Sequence, residues 1–277
     1  MDVVMFSKHL QSLSIVEAAR AALAIGFDGL DLTVRPGGHI PPDRVRQELP
    51  RAVEALERIG ARVPMVTTAI TDRDEIAEAT FSTLQEVGIR YAKLGYWRYR
   101  GFGHLREQVQ EVRAALARLE PLLLETGVTA CLHIHSGDDL TASAHVVAQL
   151  LEGRDPRAFG AYVDPGHMTV EGGKSGWKIG MDALKDWIRL VAIKSFAWYK
   201  EDLPDGTARW TAKLYPLRGG IVRWNEVFEC LRAIRFDGVI SFHSEYQGAG
   251  SWKDLSVSEL LEQTREDYEY LRPYLGR

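Results

Sequence analysis

Three observations predict that this 277-residue chain folds as a single (β/α)8 barrel over residues 1–277. Eight short apolar runs alternate with helical patterns along its length. Four helical patterns stop at a glycine that leads into the next run, as expected of helix C-termini. The first run ends in Phe6-Ser7-Lys8-His9, without the glycine-rich phosphate loop that an open doubly wound sheet more often carries there. The length also suits one barrel.

The strand-like runs lie at about 2–6, 28–34, 62–68, 91–96, 128–135, 158–164, 189–196 and 238–244. Between them, Ser14–Ile25 carries an apolar stripe and stops at Gly26. Asp43–Ile59 stops at Gly60, Asp72–Val87 at Gly88 and His104–Thr126 at Gly127. Asp138–Leu151 and Trp224–Ile234 repeat the pattern, and Val257–Leu271 closes the chain. Two connections exceed what a barrel needs: Gly-rich Pro165–Gly180, with Trp177, and Ala197–Arg223, with Trp198, Trp210 and Lys213. Both follow strands, so both are expected as lid or substrate-binding loops on the active face.

Composition narrows the function. The net charge of −4 gives no global attraction to nucleic acid or an acidic membrane surface. No apolar run approaches membrane-span length, and the opening residues read as a strand rather than a signal peptide. Cys131 and Cys230 sit in apolar surroundings outside any CxxC, as reduced buried thiols would. A cytoplasmic location is expected.

Metal-capable side chains gather where three runs end: Cys131-Leu-His133-Ile-His135, Asp164-Pro-Gly-His167 and His243-Ser-Glu245. Residues two apart in a strand share a face, so His133 and His135 look the same way, as do His243 and Glu245. At the C-terminal ends of neighbouring parallel strands these groups converge where barrels place their chemistry. Each cluster alone has an ordinary alternative: a capped turn, a hydrogen-bonded core pair or a rim salt bridge. Lys194 in the seventh run faces either solvent or the site, where it would serve as base or oxyanion binder. Arg35 and His39 around the Gly37-Gly38 turn suit an anionic group, and Lys93 with Tyr96-Trp97-Arg98 suits a sugar platform.

These motifs together resemble the xylose isomerase-like superfamily, the sugar phosphate isomerase/epimerase type of barrel. Asp164-Pro-Gly-His167 matches the family's sixth-strand ending unchanged. His133-Ile-His135-Ser136-Gly137 stands where the family has Glu-Asn-His-Ser/Gly, and Ala192-Ile-Lys194-Ser195 where it has His-Val-Lys-Asp. After Asp237-Gly238, His243 takes the place of a ligand glutamate. The resemblance implies one divalent metal held by four strands. Here Asp164 is kept, His133 and His243 stand at the glutamate positions, and Ala192 replaces the histidine. The implied set is therefore His133, Asp164 and His243 around Mn, Fe, Zn or Mg, completed by Glu245 or His135. The implied reaction is isomerisation, epimerisation or a related elimination of a small polyhydroxylated carbonyl compound through an enediolate. Glu245 or Lys194 would move the proton and His167 would orient a hydroxyl. His135, Arg35, His39, Lys93, Trp177 and Trp198 would bind substrate. The glutamates' two-base mechanism does not transfer directly. Homo-oligomers are common in such families. A non-catalytic sugar-binding barrel is the alternative from another class. An endonuclease IV-like repair enzyme fits less well, because Thr67-Thr68 and Gly95-Tyr96 offer no ligands on strands three and four.

Overall fold

The computed structural model describes residues 1–276. Its parallel strands are β1 (Asp2–Phe6), β2 (Gly29–Val34), β3 (Arg62–Thr68), β4 (Tyr91–Lys93), β5 (Thr129–His133), β6 (Phe159–Val163) and β7 (Ile188–Ile193). After β7 an antiparallel hairpin intervenes, β8 (Ser195–Asp202) and β9 (Ala208–Tyr215), before the last barrel strand β10 (Val239–Phe242). The barrel closes in the order β1-β10-β7-β6-β5-β4-β3-β2, as predicted. Helices α1 (Ile15–Ile25), α2 (Val45–Glu57), α3 (Glu75–Glu86), α4 (Leu105–Thr126), α5 (Ala144–Leu151), α6 (Pro165–Leu184), α7 (Trp224–Ala233) and α8 (Val257–Leu275) surround it.

Local chemistry sets these boundaries. Gly26, Gly60, Gly88 and Gly127 all take positive φ, which L-residues rarely adopt, so the four stops act as expected. Ser14 and Ser256 open α1 and α8 with full capping boxes to Glu17 and Glu259. Gly29 allows the closest approach in the sheet, since a Cβ there would lie 1.9 Å from the Arg62 carbonyl oxygen.

The barrel encloses Val4, Met65, Cys131, Tyr162, Leu190, Ala192 and Val239, and a larger apolar layer lies between strands and helices. Among the described residues, no helix is long and apolar enough to cross a membrane.

Both expected loops turn out to be regular structure. The segment 165–180 is the first part of α6, kinked at Gly173 (φ 56°, ψ −136°). Asp164 caps it, Pro165 starts it, and Met168, Met181 and Leu184 bury one face, which outweighs the poor helix propensity of its glycines. Trp177 is thereby packed into the core at 2% exposure and away from any lid. The segment 197–223 is mostly hairpin. Its base is fastened by Ile221 N–H to the Phe196 carbonyl and by Trp252 N–H to the Leu214 carbonyl.

Candidate active site

Parallel pairing places the three clusters side by side at the C-terminal mouth. A cavity of about 70 Å³ opens there, lined among others by Arg35, Lys93, Tyr96, His133, His135 and Tyr162. Lys194, His243 and Glu245 complete its wall, joined by Phe6, Lys8 and Thr67. Asp164 and His167 are buried just behind this lining.

Lys194 ties the cluster together. Its Nζ lies 3.3 Å from Asp164 Oδ2, 3.4 Å from Glu245 Oε1 and 3.5 Å from His243 Nδ1. Burial alone would lower its pKa, but the two carboxylates outweigh that and raise it, so it is an ammonium. The carboxylates answer in kind. Burial pushes both up, and Lys194 together with the surrounding histidines and Lys8 more than reverses this, holding Asp164 below and Glu245 well below the ordinary range. Glu245 is further fixed by Lys8 Nζ at 2.7 Å.

Two hydrogen-bonded chains run into this ion cluster. Tyr96 Oη lies 2.7 Å from His133 Nδ1, and His133 Nε2 lies 3.3 Å from Asp164 Oδ2. Tyr162 Oη lies 2.7 Å from His243 Nε2, and His243 Nδ1 lies 3.4 Å from Glu245 Oε1. The Tyr162 hydroxyl also lies 3.5 Å from Asp31 Oδ2, and Lys194 Nζ 3.5 Å from His243 Nδ1, so the His243 tautomer follows from which of these partners each proton takes. Burial, then Lys194, drives His133 well down and His243 down to about 4, so both rings are neutral. Burial and nearby carboxylates push both phenols well up, so they keep their protons.

The other walls hold further neutral groups. Burial and then Arg35 lower Lys93 well below the usual lysine range, and its Nζ lies 3.4 Å from the Tyr96 ring centroid. His135 is pushed down to about 4 by burial and Lys194. His167 donates or accepts at Nδ1 with Ser136 Oγ (2.6 Å), while its buried Nε2 has no hydrogen-bond partner.

Seven of the twelve expected site residues therefore line one cavity, and Asp164 and His167 support it. Three do not join. His39 turns back onto Thr33 at the end of β2, Trp177 lies in the core, and Trp198 stands 46% exposed on β8. Trp198 shares a hairpin face with Trp210, outside the cavity lining. Sequence reasoning missed Asp31 and Tyr162. Asp31 is fully buried, accepts from Thr67 and Ser241, and is pushed up to about 6 by burial. A lone carboxylate in the apolar run Gly29-Leu-Asp31-Leu was its signal.

The residues expected to ligate a metal do not present a free donor set. Among the described residues, no three His, Cys, Asp or Glu side chains are arranged to hold a metal ion. His133 and His243 spend their second nitrogens on tyrosines, and Ala192 puts only a methyl group into the barrel interior. The point between Asp164 and Glu245 is filled by the Lys194 ammonium. The site as built does not fit the ion.

Closed barrel, mouth-facing ionic cavity and kept Asp164-Pro-Gly-His167 define a (β/α)8 barrel with its polar cluster at the C-terminal end of the strands. The family described as xylose isomerase-like TIM barrel matches residues 19–274, and the chain belongs to it. Among solved structures it is similar to 3-keto-D-glucoside 4-epimerase YcjR from E. coli (TM-score 0.72, 16% identity, 99% of each chain covered). It is also similar to an L-ribulose 3-epimerase (TM-score 0.75, 17% identity, 99% of this chain and 94% of that one). A third is the probable 3-DHS dehydratase AsbF from Bacillus anthracis (TM-score 0.70, 15% identity, 98% and 99%). At these identities the likeness carries the fold. No curated protein matches the sequence.

Proposed function

We propose that the chain is an isomerase or epimerase of a small sugar or sugar acid, acting through an enediolate. The observation that carries this reading is a buried ammonium, Lys194, on the wall of a cavity furnished with neutral proton carriers. Removing a proton next to a carbonyl sends charge onto the carbonyl oxygen, and a fixed cation there lowers the barrier. The names of similar structures, two sugar epimerases and a dehydratase, support the same chemistry.

The roles follow from ionisation. The Lys93 amine carries a free electron pair into the cavity and takes the proton. Two strands along, on β6, Tyr162, beside His243 and Glu245, returns a proton to the substrate. Glu245 is held too firmly ionised to be an effective base, so it anchors Lys194 and His243 rather than moving the proton. His167 offers its unpartnered Nε2 to a substrate hydroxyl, and Arg35, Lys8 and His135 hold the polar end. A cavity of about 70 Å³ holds roughly two waters, so rim side chains such as Arg35 swing out on binding.

The test is solvent-deuterium wash-in. A panel of 2-ketoses and keto-acids incubated with the protein in D2O is followed by proton NMR. The reading expects deuterium at the carbon beside the carbonyl of at least one compound, and its loss in Lys93→Met. A panel without any exchange, with sugar binding retained, would instead favour the non-catalytic barrel.

A further inference from the structure

We propose that the Lys194 ammonium takes over the part a divalent cation would play, so that this barrel handles an α-hydroxy carbonyl substrate without metal. The inference rests on the enediolate reading above and goes further, because it replaces the expected cofactor by a side chain.

Position is the first argument. A cation at this place must face both carboxylates of the site, and Lys194 Nζ already does, at 3.3 Å from Asp164 and 3.4 Å from Glu245. Asp164 has no exposure and Lys194 only 2%, so the pair cannot move apart into water. An incoming ion would have to expel the ammonium from between two anions into a packed barrel interior.

Stoichiometry is the second. An ammonium has three N–H bonds. Asp164, Glu245 and His243 Nδ1 all stand within 3.5 Å of Nζ, and His243 is the farthest of the three. A substrate oxygen entering the cavity takes the N–H now nearest His243.

The donor set is the third. His133 and His243 are each tied at both nitrogens, to a phenol on one side and a carboxylate on the other. Ala192, two residues before Lys194 on the same inward face, leaves no imidazole to complete a coordination shell. Lys194 itself stands where the family also has a lysine, so what differs in this chain is the ligand set around it.

The chemistry balances. The proton leaves carbon for the Lys93 amine, the C–H electron pair becomes the new double bond, and the carbonyl π pair moves to oxygen. That oxygen, now anionic, is paired with the third Lys194 N–H. Reprotonation of carbon on the other face from Tyr162 restores the carbonyl, and solvent resets the two carriers.

The experiment uses the full chain after dialysis against EDTA and then metal-free buffer. Mn2+ and Co2+ are titrated separately, Mn2+ by the EPR signal of the free ion and Co2+ by its visible absorption. Wild-type protein is expected to take up neither, while Ala192→His with Lys194→Met gains one Co2+ per chain. One equivalent of either ion bound by wild type and lost in Asp164→Asn would overturn the inference. Deuterium wash-in gives the second readout. The chelated enzyme keeps its full rate, and Lys194→Met loses about 100-fold in kcat, part of which methylammonium restores in Lys194→Ala. A rate abolished by EDTA and recovered with Mn2+ would contradict it. If no ketose exchanges in any metal state, the enediolate reading falls, while the titration still decides whether the ammonium excludes the ion.

Discussion

Lys194, Asp164 and Glu245 set the character of the site one residue at a time. A buried cation between two anions keeps all three charged, and burial, reinforced by its field, keeps the imidazoles around it neutral. Tyr162 is where this network meets substrate. Tyr162→Phe removes one hydroxyl, and kcat for deuterium exchange is expected to fall by about 10²–10³. KM should change little, and the loss of one buried hydrogen bond at His243 should cost about 1–3 kcal/mol in urea unfolding. Unaltered kcat would remove Tyr162 from the reaction. At this scale the sequence is informative about where chemistry lies and silent about which partner each group takes. His133 and His135 share a face by strand geometry alone. By contrast, Tyr162 reads as an ordinary core aromatic until β10 brings His243 to it from 81 residues away. Asp31 likewise finds Ser241 across 210 residues.

Elements carry the residues to their places. β2 and β3 come close enough to seat Asp31 beside Thr67 because Gly29, at φ 156°, has no side chain to strike the Arg62 backbone. Gly29→Ala should therefore destabilise the fold by about 3 kcal/mol, by overpacking against backbone. An unchanged urea midpoint would show that the strands can separate at no cost. Strands and most helices were legible because their signals are local: apolar runs, serine caps and glycine stops. The two long connections were not. Glycines in 171–176 argue for a loop by propensity, and only the burial of Met168, Trp177 and Met181 against the barrel makes that stretch helical. The hairpin's strands pair with each other across a tight register that no apolar periodicity announces, since most of their residues are exposed.

For the molecule as a whole, the barrel stores its site as a set of groups with displaced protonation. His133, His135, His167 and His243 are all depressed from 6.5, chiefly by burial, two of them to about 4. A depressed histidine contributes stability that is complete above 6.5 and lost as pH falls toward its folded value. Asp31 and Asp267 work in the opposite sense. Burial raises both from 3.8 to about 6, so their contribution is present at low pH and lost as pH rises through 6. Four histidines outweigh two aspartates, so the urea midpoint is expected to be lower at pH 5 than at pH 7.5. A higher midpoint at pH 5 would mean that the histidines are charged in the folded state. The closed barrel and its active end follow from repeated local patterns. The part proposed for Lys194 does not, because it depends on where one flexible side chain ends among groups brought from neighbouring strands.

The most direct test of that central claim is the rate of deuterium wash-in into a reactive 2-ketose by EDTA-treated protein, measured with and without added Mn2+. The same rate is predicted in both, reduced about 100-fold in Lys194→Met. A rate that vanishes on chelation and returns with Mn2+ would contradict it.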